Sequence, residues 1–234
     1  FTFENVAAIS SPEHMKALIT ALVLSLISTV VCLALAYPLA MILAGRHVSQ
    51  QSFIVLIFIL PMWMNFLLRT LAWQTLLEKT GVINSVLSFF GLPTLNIINT
   101  PGAIILGMVY NFLPFMVLPL YNALTKIDPN VINAAHDLGA NWFQTFLRVI
   151  FPLSLPGVIS GITMVFVPAL TTFVISNLLG GSKILLIGNV IEQEFTQASN
   201  WHLGSGLSIV LMVFILINML MTAIFDKNGE GTSL

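Results

Sequence analysis

The chain has 234 residues and a formal net charge of −1; 57% of its residues are hydrophobic and only 7% are charged. Soluble domains carry about 25% charged residues, so this composition excludes an ordinary soluble domain and favours a lipid environment. The eight lysines and arginines form no basic stripe, which argues against a nucleic-acid partner. A single cysteine, Cys32, can build neither a disulfide framework nor a Cys/His metal cluster.

Five stretches are long and apolar enough to cross a bilayer, which takes about 20 residues of helix. The predicted spans are residues 17–45, 53–77, 101–122, 149–182 and 203–225. Internal prolines are tolerated in such helices because neighbouring helices satisfy the freed carbonyls, and their number here indicates a packed bundle. The predicted fold class is therefore all-α, a polytopic transmembrane helical bundle of five spans.

The connections between the spans also carry predicted structure. Residues 82–90 and part of 180–201 are expected to form short helices, and residues 126–148 are polar with a helical pattern. If residues 126–148 are cytoplasmic, four cations lie inside (Arg46, Lys126, Arg148, Lys227) and three outside (Lys16, Lys79, Lys183). The charge bias therefore favours this orientation only slightly.

Residues 128–140 show the most informative local pattern. Asp128 is a suitable N-cap, Pro129 suits the first helical position, and Gly139 can end the helix. Apolar residues recur at i, i+3, i+4 and i+7 as one stripe, formed by Val131, Ala134, Ala135 and Leu138. About ten residues are too few to span a membrane. Two interpretations stay open: an interfacial helix on lipid headgroups, or a helix whose small residues dock into a protein groove.

A spaced motif runs through the same segment and beyond it. Its residues are Asn133-Ala134-Ala135, Gly139, Val149 and Phe151-Pro152. They resemble the EAA loop of bacterial ABC importer permeases, which reads Glu-Ala-Ala, three residues, Gly, nine residues, Ile, one residue, Leu-Pro. Asn133 stands where the pattern has glutamate and so removes a charge, whereas Val149 and Phe151 keep apolar character.

Three further segments, residues 60–65, 111–121 and 180–191, resemble the PotB-like branch of spermidine/putrescine permeases. Permeases for iron and phosphonate are similar enough to remain alternatives. The resemblance implies one MetI-like transmembrane domain over residues 1–234, with a cytoplasmic coupling loop at 126–148, in the bacterial inner membrane. Because the family usually has six spans and residues 1–6 resemble its first external segment, the first span is expected to be missing from this sequence.

The resemblance further implies that the chain is one part of a transporter and is not itself an enzyme. Its expected partners are a second permease subunit in a heterodimer, two ATPase subunits that bind ATP-Mg, an external solute-binding protein, the polyamine and the lipid bilayer. This chain would bind no cofactor or metal, and residues 180–183 lack the spacing of a P-loop. The residues expected to couple it to the ATPase are Asn133, Ala134, Ala135, Leu138 and Gly139.

Polar and aromatic residues inside the predicted spans are candidates for the solute path, since such groups usually face a bundle interior or a cavity. On the second span, Met62, Asn65, Phe66, Arg69 and Trp73 fall within about 100° of one another at helical spacing. The path candidates are Trp63, Asn65, Arg69, Trp73, Tyr110, Asn111 and Phe115. Alternatively, Arg69 snorkels to the outer interface and the aromatic residues only pack against their neighbours.

The charges near the spans leave the cargo open. Polyamines are elongated cations that seek carboxylates and aromatic faces, yet no Asp or Glu lies inside a predicted span. Glu192 and Glu194 could attract a cation at the external mouth, or they could form a solvated loop face. Arg69 would instead suit an anionic solute. A non-transporting scaffold is a further alternative, whereas a membrane enzyme would need reactive groups that the spans lack.

Overall fold

A computed structural model of the chain describes residues 11–45, 60–181 and 183–230, without the side chains of Pro61 and residues 221–230. Three predicted features lie outside the described residues: the external segment 1–6, the loop 46–52 and the first part of the second span, 53–59. The elements are α1 (Pro12–Ala44), a 3-10 turn (Leu60–Trp63), α2 (Phe66–Leu77), α3 (Val82–Phe89), α4 (Pro101–Leu124), α5 (Pro129–Asp137), α6 (Trp142–Thr145), a π-helical segment (Phe146–Ile150), α7 (Phe151–Thr171), α8 (Val174–Leu179), α9 (Ile187–Thr196) and α10 (Trp201–Glu230).

Among the described residues, four helical runs are long and apolar enough to cross a membrane: α1, α4, the continuous run Trp142–Thr171, and Trp201–Leu220 of α10. No strand occurs in this part of the chain. The predicted all-α membrane bundle is therefore confirmed. The short helices expected near residues 82–90 and within 180–201 are present as α3 and α9.

The centre of the bundle is formed by α1, α4 and α7, which pack against one another along their lengths. Gly157 of α7 allows a close approach, because a Cβ atom there would lie 2.5 Å from the Ala123 Cβ and 2.7 Å from the Pro119 carbonyl oxygen of α4. Small residues at such contacts let membrane helices pack backbone to backbone. The largest fully buried side chains of the described core are Ile104, Met108, Met116, Leu120, Leu170, Ile175, Leu179, Leu186, Ile187 and Leu207.

Two predicted spans differ from the structure. Of the described part of the second span, only Phe66–Leu77 is α-helical, and a 3-10 turn precedes it. The fourth span ends at Thr171, because Thr172 takes an extended conformation with φ −66° and ψ 138°. The predicted run would make a helix of about 50 Å, well beyond the roughly 30 Å of a bilayer core. Its last part forms α8, which packs against α2 and α4.

Apolar side chains also cover the outer surface of the bundle. Those exposed on α1 and α10 include Ile19, Val23, Leu26, Val30, Leu35, Ile209, Val213, Leu216, Ile217 and Leu220. A soluble protein would lose stability by placing such an area in water, whereas lipid tails are as apolar as these side chains. The bundle therefore has the surface of a membrane protein.

Candidate functional site

The loop between α4 and α7 carries α5, and local hydrogen bonds fix both of its ends. The Asp128 carboxylate accepts a hydrogen bond from the backbone N–H two residues later, at 2.9 Å. At the other end, the N–H groups of Gly139 and Ala140 donate to the carbonyls of His136 and Ala135 at 2.9 and 3.0 Å. Gly139 has a φ of +83°, and this pattern is a Schellman ending. The predicted start and end of the helix are confirmed.

Within α5 no residue is buried. Of the predicted coupling residues, Asn133, Ala134, Leu138 and Gly139 are exposed, whereas Ala135 is half-buried. The predicted apolar stripe counted Leu138 as a helical residue. In the structure Leu138 is instead the C-cap of α5, with 89% of its surface exposed. Three of the four stripe residues, Val131, Ala134 and Leu138, are therefore exposed.

Aromatic rings fix the base of this loop. Trp142 stacks on Phe146 with 5.7 Å between ring centroids, and the Phe146 ring contacts Tyr37 at 5.5 Å and Phe151 at 6.2 Å. The Tyr37 hydroxyl lies 2.6 Å from that of Ser154. These four rings, the loop-base cluster, join the loop to α1 and α7.

A π-helical segment, Phe146–Ile150, separates the loop from α7. A π turn contains an extra residue compared with an α turn, and such turns are frequent at functional sites. Pro152 gives a local reason for it, because proline lacks an N–H donor and its ring clashes with the carbonyl four residues earlier, at Arg148. The change of helix type therefore follows from the position of the proline.

The candidates on the predicted second span do not share one helical face. Trp63 lies in the 3-10 turn and is 77% exposed. Asn65 is the N-cap of α2, and its side-chain oxygen accepts from the backbone N–H of Leu67 at 2.8 Å. The predicted helical stripe on the second span is wrong before Phe66, because α2 begins only there. Of the stripe residues, Phe66, Arg69 and Trp73 lie in α2.

Arg69 is the one path candidate on α2 that is both charged and buried, with 8% of its surface exposed. Its Nε has no hydrogen-bond partner within the described residues. Aromatic contacts on either side join α2 to α4: Phe66 stacks on Phe112 at 6.4 Å, and Trp73 meets Tyr110 edge-on at 5.3 Å. Since a buried charge without a partner is costly, Arg69 is a candidate for a functional rather than a structural role.

The candidates on α4 differ in their surroundings. Tyr110 is 39% exposed and Phe115 is half-buried. Asn111 is buried, with its Nδ2 donating to the Gly107 carbonyl at 2.9 Å, while its Oδ1 lacks a partner in the described structure. Asn111 therefore lies in the core rather than on an open surface.

Glu192 and Glu194 both lie on α9 and are half-buried. Glu192 lines a cavity of about 510 Å³ between the end of α7, α9 and α10, and Thr196 Oγ1 donates to its Oε1 at 3.1 Å. Glu194 does not line this cavity. The remaining wall contains the rings of Phe173 and Phe195 and is otherwise mainly apolar. Among the described residues, Glu192 is thus the one acidic residue in the lining of a mainly apolar cavity.

Buried amide hydrogen bonds hold the corner that carries Phe173. The Asn189 Nδ2 donates to the Phe173 carbonyl at 3.1 Å and to the Asn177 Oδ1 at 2.7 Å. Its Oδ1 accepts from the Leu186 N–H at 3.0 Å. This network links α8 to the start of α9 and so positions one wall of the cavity.

Sequence reasoning assigned no role to several of these residues, namely Tyr37, Ser154, Phe173, Asn189 and Phe195. Tyr37 and Ser154 carry no distinguishing signal, because each is one of several hydroxyl residues in its predicted span. For Asn189 the signal is its position three residues after the helix cap. The two phenylalanines carry no such signal among the 17 in the chain.

Comparison with known protein families gives a match over most of the chain. The family described as "Binding-protein-dependent transport system inner membrane component" matches residues 36–228. Among individual proteins, the spermidine/putrescine transport system permease protein PotB of Haemophilus influenzae is 40% identical over 218 residues, covering 92% of this chain and 76% of that protein. PotB of Escherichia coli K12 is 39% identical over 222 residues, covering 94% and 81%.

Solved structures show the same fold at lower identity. A bacterial ABC transporter involved in import of the acidic polysaccharide alginate aligns with a TM-score of 0.80 at 19% identity, covering 97% of this chain and 84% of that one. An inward-facing structure of the MetNI methionine ABC transporter aligns with a TM-score of 0.65 at 19% identity, covering 94% and 99%. At this identity the likeness concerns the fold alone.

Proposed function

This chain belongs to the family of binding-protein-dependent inner-membrane transport components, and we propose that it imports polyamines as one permease subunit of an ATP-driven transporter. The family membership confirms the resemblance to ABC importer permeases and makes the chain a transmembrane permease of the inner membrane. The cargo and the composition of the complex are the parts that we propose.

The exposed helix α5 carries the proposal. It is a short helix with fixed ends, it has no buried residue, and it stands on a base joined to two spans. Small residues such as Ala134 allow close backbone approach, which suits docking into a groove. We assign α5 to contact with an ATPase subunit, whose movement the loop-base cluster would pass to α1 and α7.

The energy would then come from outside this chain. Two ATPase subunits would bind ATP-Mg, a second permease would complete the pore, and an external binding protein would deliver the solute. No cofactor is assigned to this chain. Because Asn133 replaces the glutamate of the family pattern, its contact with the ATPase would rest on packing and hydrogen bonds rather than on an ion pair.

Docking of α5 is tested by the pair Leu138→Asp and Asn130→Asp. Both positions are exposed, but only Leu138 belongs to the predicted contact. A charge buried without a partner opposes association, so Leu138→Asp should reduce co-purification of the ATPase and Asn130→Asp should not. Equal recovery of the ATPase with both variants would contradict the assignment.

Two observations support a polyamine cargo. The relatives of about 40% identity are named spermidine/putrescine permeases, and the cavity beside α9 offers Glu192 with two aromatic rings. An elongated cation gains from both kinds of group, because its ammonium ends pair with carboxylate and ring faces while its methylene segments contact apolar walls.

The cargo is tested with the complete transporter in liposomes, together with its binding protein. ATPase stimulation is compared for spermidine, putrescine, ferric iron and a phosphonate. We expect stimulation by the two polyamines. In the same assay Glu192→Gln should raise the polyamine KM, whereas Glu194→Gln, a matched change outside the cavity, should leave it near the native value.

An anionic solute is the second candidate, and Arg69 is the observation that favours it. A buried guanidinium whose Nε lacks a partner in the described structure would attract an anion rather than a polyamine. Stimulation by the phosphonate alone would select this alternative and exclude the polyamine. A scaffold without transport activity would give no stimulation with any solute.

A further inference from the structure

We propose that α3 is a membrane-surface anchor whose apolar stripe inserts into the lipid at the end of the bundle opposite α5. The stripe consists of Val82, Val86 and Phe89, and Phe90 extends it past the end of the helix. This inference does not depend on which solute the transporter carries.

Three sides of α3 have different characters. Ile83, Asn84 and Leu87 are buried or half-buried and face the protein. The stripe lies on the far side, because successive helical residues are about 100° apart, and its members are between 50% and 86% exposed. Two exposed serines, Ser85 and Ser88, lie on the flank between these two sides. A helix with such a flank fits the boundary between lipid and water.

Hydrogen bonds from Asn84 fix the direction in which the stripe points. Its Nδ2 donates to the carbonyls of Glu78 and Leu95 at 3.0 and 2.9 Å, and its Oδ1 accepts from the Leu95 N–H at 2.7 Å. Asn84 is buried. The helix is therefore held on the protein by its polar residue, and the described structure leaves the four residues of the stripe exposed.

The position of α3 in the chain sets its level relative to the bilayer. It lies between the end of α2 at Leu77 and the start of α4 at Pro101. Since α4 crosses the membrane and leads to α5 at its other end, α3 is at the opposite membrane surface. Leu67, Leu68 and Leu71 on α2 are exposed as well, so α2 also has exposed apolar residues that suit lipid.

The composition of this segment favours lipid over water or a protein partner. Exposed Glu78 and Lys79 precede this segment, but residues 80–100 contain no charged side chain, so α3 itself offers neither ion pairs to a partner nor charges to hold it in solvent. Phe89 and Phe90 are 86% and 70% exposed and meet edge-on at 5.5 Å. With Val82 and Val86 they line a shallow groove of about 470 Å³, whose apolar wall can contact an acyl chain.

Lipid insertion would fix the α2–α3 hairpin while other parts of the transporter move. Because α2 packs against α8, the anchor would also restrain α8, which lies next to the cavity residue Phe173. The absence of charge predicts that insertion needs no anionic lipid and is insensitive to salt, unlike that of basic interfacial helices.

Site-directed spin labelling tests the anchor in the complete transporter. The only cysteine of this chain is Cys32, so Cys32→Ala lets the chain be labelled at position 89 (Phe89→Cys) or 88 (Ser88→Cys) alone, before assembly with unlabelled partner subunits. In nanodiscs of zwitterionic lipid, the label at 89 should collide several-fold more often with oxygen than with a water-soluble nickel chelate. The label at 88, one residue away on the flank, should show the reverse preference.

Three results would overturn the proposal. Equal exposure of positions 88 and 89 to the nickel chelate would place the stripe in water. Protection of position 89 from both reagents, seen in the complete transporter but not in this chain alone in nanodiscs, would mean that another subunit covers the stripe. A requirement for anionic lipid would contradict the uncharged mode of insertion.

Discussion

The hydroxyl groups of Tyr37 and Ser154 lie 2.6 Å apart and join α1 to α7 next to the loop that carries α5. Ser154 also donates to the Phe151 carbonyl at 3.0 Å. A serine hydroxyl has one proton, so Tyr37 is the donor in the shared hydrogen bond. This contact is the polar component of an otherwise aromatic connection between the loop and the bundle.

Replacing Tyr37 by Phe should lower the stability of the assembled permease by about 1 kcal/mol, the typical net contribution of one hydrogen bond. The ring contacts with Phe146 and Phe151 remain, so the effect isolates the hydroxyl. Thermal unfolding in nanodiscs provides the measurement. Tyr121→Phe is the control, because its hydroxyl has no hydrogen-bond partner in the described structure.

A double change, Tyr37→Phe with Ser154→Ala, checks the assignment further. If the two hydroxyls interact, the double variant should lose less stability than the sum of the single variants. Strict additivity would mean that the 2.6 Å contact contributes nothing.

At position 139, the backbone conformation should decide which substitutions are tolerated. Gly139 has a φ of +83° and open space around its Cα, so a side chain meets a backbone cost but no clash. Asn tolerates this left-handed region far better than a β-branched residue. We therefore expect Gly139→Asn to retain ATPase association and Gly139→Val to lose most of it, as measured by co-purification. If both variants lost ATPase association equally, the added side chain itself, and not the backbone conformation at position 139, would be the cause.

Gly157→Ala should destabilise the bundle by about 1–3 kcal/mol, the usual cost of overpacking. The added methyl group would meet the Pro119 carbonyl oxygen at 2.7 Å, and a rigid helix backbone cannot move away easily. Gly102→Ala is a matched control, because its nearest neighbour would be at an ordinary 3.5 Å. Thermal unfolding of the two variants should differ clearly. Indistinguishable melting temperatures would mean that α4 and α7 can move apart to accommodate the methyl group with little loss of stability.

Arg69→Met should leave the stability of this chain unchanged or raise it by about 1 kcal/mol, because it removes a buried guanidinium whose Nε has no partner in the described structure. Arg148→Met, at an exposed position, should change stability by less than about 0.5 kcal/mol. Uptake measured alongside stability separates two roles. A stable but inactive Arg69→Met protein indicates a role in transport, whereas a marked loss of stability would reveal a structural partner.

Local signals explain the features that the sequence predicted correctly. Thr100 with Pro101, and Asp128 with Pro129, start helices where expected, since capping depends on adjacent residues alone. Gly139 ends α5 for the same local reason. The long apolar runs identify the bundle, because a bilayer imposes a minimum length of apolar helix.

Tertiary contacts explain what the sequence could not supply. Residues 174–179 are as apolar as a span, yet they form the separate helix α8 because the chain turns at Thr172. A segment buried between helices and a segment buried in lipid both consist of apolar residues, so the sequence alone cannot distinguish them. The cavity at Glu192 likewise includes Phe173, whose backbone carbonyl accepts a hydrogen bond from Asn189, 16 residues later in the chain.

The π-helical segment Phe146–Ile150 makes the direction of the loop tolerant of one particular change in chain length. A π turn holds one residue more than an α turn, so deleting a single residue there should convert it to an α turn while Trp142 keeps nearly the same direction relative to α7. A deletion within the α-helical part of α7 would instead rotate everything before it by about 100° around the helix axis. The loop and the span can therefore differ by one residue in length at this point without the loop turning away from its partner.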